Sequence, residues 1–208
     1  MKEETPTKIS IATPCYGGSC DVEYVAGVLT SYLAGLVTNW LTISTESLVP
    51  RARNRLAHQF LEGKDSKLVF VDSDVGFTAA QLKQLIDHEE DIVGGCYPKK
   101  TEGKNAGWCF NRLKSGEQER GEMLEVMETG TGFLSISRRV IEELSADAAK
   151  IVHKETTMAE LFPVGCLDGS GRYFSEDWGF AWLARKAGYQ IWVDRGIRLR
   201  HIGRKVYT

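Results

Sequence analysis

Leu68-Val69-Phe70-Val71 is an unbroken apolar run that ends on Asp72-Ser73-Asp74. A strand with no polar alternation needs cover on both faces, so it belongs in the middle of a sheet packed between helices. The segments before it fit that demand. Lys8 to Thr13 reads as a buried strand, with Ile9 and Ile11 on one face. A turn at Pro14-Cys15-Tyr16-Gly17-Gly18-Ser19 leads to a helix with Asp21 near its start and Val25, Val28, Leu29, Tyr32, Leu33 and Leu36 at helical spacing. Trp40 to Ser44 reads as a second strand. A second helix from Leu48 to Leu61 has Pro50 in its first turn and Gly63 at its end. After the apolar run, Thr78-x-x-Gln81 has the form of a capping box and opens a third helix through Leu82, Leu85 and Ile86. Ile92-Val93-Gly94-Gly95 is the next strand. This alternation implies an α/β chain whose central sheet is mostly parallel, with helices on both faces.

The second half is less regular. Gly107 to Phe110 and Met123 to Glu128 read as hairpin or edge strands. Gly132 to Ile136 reads as a strand, and Ser137 as the cap of a helix with Val140, Ile141 and Leu144. Residues 146–171 show no usable period. Ser175 caps a helix that stops at Gly188, Tyr189 to Val193 is a strand, and Arg198 to Lys205 reads as a basic tail containing His201.

A chain of 208 residues suits one domain and can bury a core without staples. Its 26 basic and 28 acidic residues give a net charge of -2, so bulk charge offers no reason to bind nucleic acid or an anionic membrane. The charged start, Met1 to Thr7, is not that of a secretory signal, and no apolar stretch is long enough to span a membrane. The 5 cysteines are scattered and include no Cys-x-x-Cys pair. Free thiols in a reducing, cytoplasmic setting are the expectation, and the spacing does not support zinc.

Asp72 and Asp74 carry the clearest chemistry. The carboxyl ends of strands in an open α/β sheet form the ligand crevice. Two carboxylates there, one residue apart, repel unless a cation neutralises them. Oxygen ligation suits Mg²⁺ or Mn²⁺, ions that also hold phosphate oxygens. Asp-Ser-Asp-x-Gly is equally good turn composition. On the second helix, Leu48, Val49, Ala52, Leu56 and Phe60 share one arc, while Arg51, Asn54, Arg55 and His58 lie opposite on what reads as a solvated face. Arg53 falls at the edge of the apolar arc. An inward arginine needs a carboxylate or phosphate partner; the other reading is snorkelling to the rim. Arg51, in the first turn, can also reach an anion. Thr13, Pro14 and Tyr16 follow the first strand into the same crevice, where Gly17-Gly18 allows close backbone approach and Tyr16 can stack on a base. Glu176 and Asp177 sit in a helical first turn, where the dipole alone accounts for acids, or where one serves as general base. His201 is either a surface histidine or a neutral metal ligand. Lys99-Lys100 is surface charge or a lip of the crevice.

The ordered set resembles GT-A-type nucleotide-sugar glycosyltransferases. It comprises Thr13-Pro14-Cys15-Tyr16, Arg51-Ala52-Arg53-Asn54, Asp72-Ser73-Asp74, Glu128-Thr129-Gly130-Thr131-Gly132-Phe133, Glu176-Asp177-Trp178 and His201. The likeness is to the short, anchor-free kind found in viruses and phages, similar in scale to a chlorella virus glycosyltransferase domain. It implies a Rossmann-like nucleotide-binding half, about 8–98, and a smaller mixed acceptor half, about 99–208, in one domain. It implies a hexosyltransferase-like enzyme that takes a sugar from a nucleoside diphosphate, UDP first among them, to a hydroxyl of a glycan or glycoconjugate, in the cytoplasm of a cell or viral host. Asp72, Asp74 and late His201 would hold Mn²⁺ or Mg²⁺. Thr13, Pro14, Tyr16, Arg51, Arg53 and Ser73 would stand around the nucleotide. The Gly130-Thr131-Gly132-Phe133 turn would face donor sugar and acceptor. Asp177, ahead of Glu176, would be the base of an inverting enzyme; a retaining one lacks such a base.

Two other functions share this pattern. A nucleotidyltransferase acting on sugar phosphates usually has a glycine-rich, basic loop after the first strand, and this loop has no Lys or Arg. A non-catalytic nucleotide-sugar-binding module would not need intact Asp72, Asp74, Glu176 and Asp177. Metal-dependent donor hydrolysis separates the readings.

Overall fold

A computed structural model describes residues 8–101, 107–116, 118–203 and 206–207. The apolar run is strand β3 (Lys67–Val71), and its register explains its composition. Leu68 and Phe70 pack into one core with Leu56, Phe60, Ile136 and Phe180, whereas Val69 and Val71 pack into another with Ile11, Tyr24, Val28 and Leu82. Burying a side chain on each face contributes about 1.5–3 kcal/mol per large aliphatic residue. A polar alternation would forfeit one of the cores.

The first crossovers run as the sequence requires. Strand β1 (Ile9–Cys15) lies parallel to β2 (Val37–Ser44) on one side and to β3 on the other. Helices α1 (Val22–Leu33) and α2 (Val49–Glu62) make the connections. The Asp21 side chain accepts from the Glu23 N–H at 2.9 Å and caps α1. Beyond β3 come a short strand β4 (Val75–Gly76), helix α3 (Ala79–Asp87) and strand β5 (Ile92–Cys96). The expected capping box is formed: Thr78 N–H donates to Gln81 at 2.9 Å, and Gln81 N–H returns the bond at 3.3 Å.

The second half completes the sheet through β6 (Phe110–Arg112), β7 (Glu119–Arg120), β8 (Met123–Thr129), β9 (Phe133–Ser137) and β12 (Ile191–Arg198). The order is β2-β1-β3-β9-β5-β12-β8-β6, with β7 beside β8. Strand β9 is antiparallel to both β3 and β5, and β8 is antiparallel to β12. The sheet is therefore mixed, more so than expected. Strands β3 and β5 do run in one direction, but they are not neighbours. The helical crossovers set their direction; only the long-range insertion of β9 sets their separation.

Helices α4 (Arg138–Asp147) and α5 (Glu176–Lys186) follow β9 and precede β12. Neither Ser137 nor Ser175 caps through its side chain; the Ser137 hydroxyl donates instead to Asp91 at 2.6 Å. The segment without sequence period contains a hairpin, β10 (Lys150–His153) and β11 (Thr156–Ala159). Part of the expected basic tail is strand β13 (Arg200–Ile202), which pairs with β4 and with β14 (Val206–Tyr207). Arg204, Lys205 and Met1 to Thr7 lie outside the described residues. No described helix is long and apolar enough to cross a membrane.

Candidate active site

The chain after β3 forms the expected turn. Val75 N–H closes it onto the Asp72 carbonyl at 3.0 Å. Asp72 N–H donates to Gly132 O at 3.0 Å, and Asp21 N–H donates to Ser73 O at 2.8 Å. The backbone thus ties the carboxyl end of β3 to the turn before β9 and to the loop after β1. Ser73 contributes its carbonyl to this frame.

The two aspartates face different partners. Asp72 Oδ1 accepts from Arg53 Nη2 at 3.0 Å. Arg53 is 3% exposed, so it points inward from α2, and the snorkelling alternative is excluded. Its Nε lies 3.8 Å from Glu176 Oε1, and its Nη2 lies 3.8 Å from Asp177 Oδ1. Burial disfavours the guanidinium charge, but Asp72, Asp177 and Glu176 outweigh it and raise its pKa. Arg53 Nε and Nη1 have no hydrogen-bond partner among the described residues.

Asp74 faces the other way. Its carboxylate accepts from Lys100 Nζ at 2.5 Å, and His201 Nε2 stands 3.6 Å away. Burial would push the Asp74 carboxyl up, but His201 and Lys100 outweigh it and hold it below its ordinary value. His201 arrives here because β13 pairs with β4, placing it opposite Val75. Its Nδ1 lies 2.8 Å from Pro98 O, a carbonyl that can only accept, so Nδ1 carries a proton and Nε2 is the ring nitrogen turned to Asp74. Of the two lysines, Lys100 pairs with Asp74 and Lys99 lines the cleft described below.

Asp177 opens α5 on the far side of Arg53. Thr131 donates its hydroxyl to Asp177 Oδ1. Burial is the main cause that raises this carboxyl to about 6; Arg53 opposes the shift, while Glu176 adds to it. Between Asp177 and His201 lies a cleft of about 240 Å³ lined by Asp72, Tyr97, Asn111 and Trp178.

Tyr97 and Asn111 were not among the expected site residues. Tyr97 is 4% exposed; its hydroxyl accepts from Gly132 N–H at 2.8 Å, and its ring meets His201 edge-on at 5.3 Å. Its place just beyond β5, at the carboxyl end, is the signal that could have found it. Asn111 donates to the buried Glu128 at 2.9 Å, and Arg172 donates to the same carboxylate oxygen while lying 4.5 Å over the Trp178 ring.

Several expected residues do not gather around the cleft. Arg51 is held by Glu46 through bonds of 2.9 and 2.5 Å and does not reach the aspartates. Asn54 is not on a solvated face: it is buried, and its Oδ1 accepts from Leu161 and Phe162 N–H at 2.8 and 3.0 Å. Thr13 is wholly buried and bonded to the Tyr24 hydroxyl, so its side chain is turned into the core. Pro14 is half-buried at the end of β1, and Tyr16 is exposed on the single turn that follows, where Gly17 and Gly18 both adopt positive φ. Among the described residues, no group of 3 or more His, Cys, Asp and Glu side chains closes up as a metal cage; Asp74 and His201 face each other while Asp72 leans to Arg53. All 5 cysteines are free thiols, as expected.

No protein-family model matches the chain, and no curated protein matches it in sequence. In structure it is similar to A197 from STIV, at a TM-score of 0.60 and 20% identity over 94% of this chain and 86% of that one. It is also similar to GalNAc-T7, solved with UDP, GalNAc and Mn²⁺, at a TM-score of 0.55 and 12% identity over 98% of this chain and 45% of that one. The chain has a GT-A-type fold. It spans less than half the length of GalNAc-T7. In this GT-A fold the cleft lies where the carboxyl ends of β3 and β5 meet the turn before β9 and the start of α5.

Proposed function

We propose that the chain is a metal-dependent glycosyltransferase that moves a sugar from a nucleoside-diphosphate sugar, UDP-sugars first, to a hydroxyl of a glycan or glycoconjugate. The observation that carries this reading is the placement of two unlike acidic centres across one cleft. His201, which faces Asp74, lines the cleft for one centre, and Asp177, which accepts from Thr131, lines it for the other. Residues 8–98 form the donor half of this reading, and residues 99–208 form the acceptor half.

The donor chemistry of the first centre suits Mn²⁺ or Mg²⁺. A ligating imidazole commonly donates its second N–H to a backbone carbonyl, as His201 does to Pro98. Lys100 already occupies the Asp74 carboxylate with one positive charge, so this position takes a cation. Asp74, His201 and the cleft-facing Asp72 would hold the ion, which would neutralise charge on the departing diphosphate. The GalNAc-T7 structure contains such a pair, Mn²⁺ and UDP, on a fold like this one.

The protein's own groups account for the remaining steps. Asp177 takes the proton of the acceptor hydroxyl as that oxygen attacks the anomeric carbon, which inverts the configuration. A carboxyl near pH 6 is better matched to this task than an ordinary aspartate, which is a weaker base. Thr131 and Arg53 hold it in place. Trp178 and Asn111, braced from outside the cleft by the Glu128–Arg172 pair, form the wall on which the acceptor rests. Tyr16, on its exposed turn outside the cleft, would offer its ring to the nucleotide base.

The test is a panel of sugar nucleotides incubated with Mn²⁺, with released nucleoside diphosphate as the readout. Metal-dependent release supports the reading. Nucleotide binding by calorimetry with no turnover on any donor, with or without acceptor, would make this a binding module instead.

A further inference from the structure

Helix α1 turns an uncharged apolar stripe to solvent. Val22 is 79% exposed, Leu29 51% and Leu33 83%, with Ala26 between them and Tyr32, 61% exposed, on the flank. Tyr24, Gly27, Val28 and Ser31 bury the opposite side. At about 100° per residue, Val22, Ala26, Leu29 and Leu33 therefore point directly away from the sheet. A soluble chain seldom leaves such a contiguous row open unless something covers it.

We infer that the stripe is the contact between two copies of this chain, packed as antiparallel α1 helices about a two-fold axis. The order of the residues carries this. A two-fold axis passing between Gly27 and Val28 sets Val22 against the partner's Leu33 and Ala26 against the partner's Leu29. Each large side chain of the inner pair thus meets a small one, and each contact occurs twice, as an isologous interface requires. On one flank Val25 lies beside the partner's Tyr32, apolar against aromatic. On the other, Glu23 and Thr30 remain at the wet rim, where Arg200 already pairs with Glu23 at 2.8 Å. Charge selects the occupant. The 12 residues of α1 include one acid, Glu23, and no base. A helix that lies on an anionic membrane uses Lys and Arg on its polar face, and α1 has neither. The partner that matches a neutral apolar row is another neutral apolar row, and the chain supplies one in the right order.

A helix of this length spans only about 18 Å. The contact therefore belongs to the small, reversible class of interfaces. Dimer should form at micromolar protein and dissociate on dilution.

Sedimentation velocity of the full chain across a hundredfold concentration range tests this. The expected result is a monomer–dimer shift that Leu29→Glu abolishes without changing the melting temperature or the release of nucleoside diphosphate. Orientation is read by disulfide trapping with diamide, a thiol oxidant. The doubly substituted Val22→Cys, Leu33→Cys chain should form covalent dimer, while either single substitution should give no more than the native chain. A monomer at every concentration would overturn the inference. So would a dimer untouched by Leu29→Glu, cross-linking by the single variants alone, or a monomer that sediments with neutral lipid vesicles through Leu29.

Discussion

Arg53 Nη2 and Asp72 Oδ1 stand 3.0 Å apart, with the guanidinium sealed beneath the cleft and the carboxylate at its floor. The same cation lies within 3.8 Å of both Glu176 and Asp177. One arginine on α2 therefore permits an acidic cluster drawn from β3 and α5. Without it, like charges would repel in a poorly hydrated site.

Replacing Arg53 by Met should cost about 3 kcal/mol, because it leaves three half-buried carboxylates uncompensated. Arg53→Lys should recover charge but not the planar fork that reaches several carboxylates at once. Urea unfolding measures both. The loss for Arg53→Met should be larger at pH 8 than at pH 5, where protonation of Asp177 relieves the repulsion; an equal loss would mean that packing alone is at stake.

Asp177 governs the pH dependence. As a base it must be ionised, so turnover should rise with pH through about 6, the value to which its burial pushes it. Asp177→Asn should remove turnover and leave donor binding intact. An unchanged rate would move the base to Glu176 or indicate a retaining route.

The same shift has a stability consequence with a definite sign. A carboxyl raised in the folded state favours folding while protonated. That contribution is complete below the unfolded value of about 3.9 and is lost as pH rises through about 6. Above pH 6 the ionised group burdens the fold. Asp177→Asn should thus raise the melting temperature by a few degrees, roughly 1 kcal/mol, at pH 7.5 and much less at pH 4. Calorimetry at the two pH values checks it; a lower melting temperature at pH 7.5 would show that the hydrogen bond from Thr131 outweighs burial.

The sequence made some of this visible and hid the rest for identifiable reasons. The apolar run through Val71 requires two covered faces, so the position of Asp72 at the cleft followed from local pattern, whereas the turn of Asp74 toward Lys100 and His201 did not. Arg53 was visible as a charge at the edge of an apolar arc, though its partners were not, because Glu176 and Asp177 lie more than a hundred residues away. The insertion of β9 between β3 and β5 leaves no periodic mark. Asn54 looked solvated because the loop at Leu161 and Phe162 that covers it has no period of its own. Arg51 was expected at the nucleotide because Glu46, in a loop, gave no sign of reaching it.

Gly130 and Gly132 should tolerate no side chain. A Cβ at Gly130 would overlap the Tyr97 hydroxyl, and one at Gly132 would lie 2.7 Å from it and 3.0 Å from Asp72 Oδ2. Gly130→Ala should cost about 1–3 kcal/mol by overpacking. Adding Tyr97→Phe removes the clashing oxygen and should return part of that loss, so the pair should be non-additive in a double-mutant cycle. Additive losses would show that the turn relaxes away from Tyr97.

Asp74→Asn and His201→Ala test the cation centre together. The Asp74 carboxyl is held below its ordinary value, so it is ionised across the working pH range. Lys100 faces it with a single positive charge that a divalent ion must displace. Asp74→Asn removes the charge that attracts the ion and should abolish Mn²⁺-dependent nucleotide binding by calorimetry; retained affinity with added Mn²⁺ would reject the assignment. His201→Ala leaves that charge in place but removes Nε2, the ring nitrogen left to face the ion when Nδ1 bonds Pro98. It should weaken apparent Mn²⁺ affinity about tenfold or more, the scale seen when groups supporting a metal are lost. A neutral His201→Ala would reduce the histidine to packing against Tyr97. Lys100→Ala should act in the opposite direction and tighten the ion, because it removes the competing cation; weaker Mn²⁺ binding in that variant would instead make Lys100 a phosphate contact.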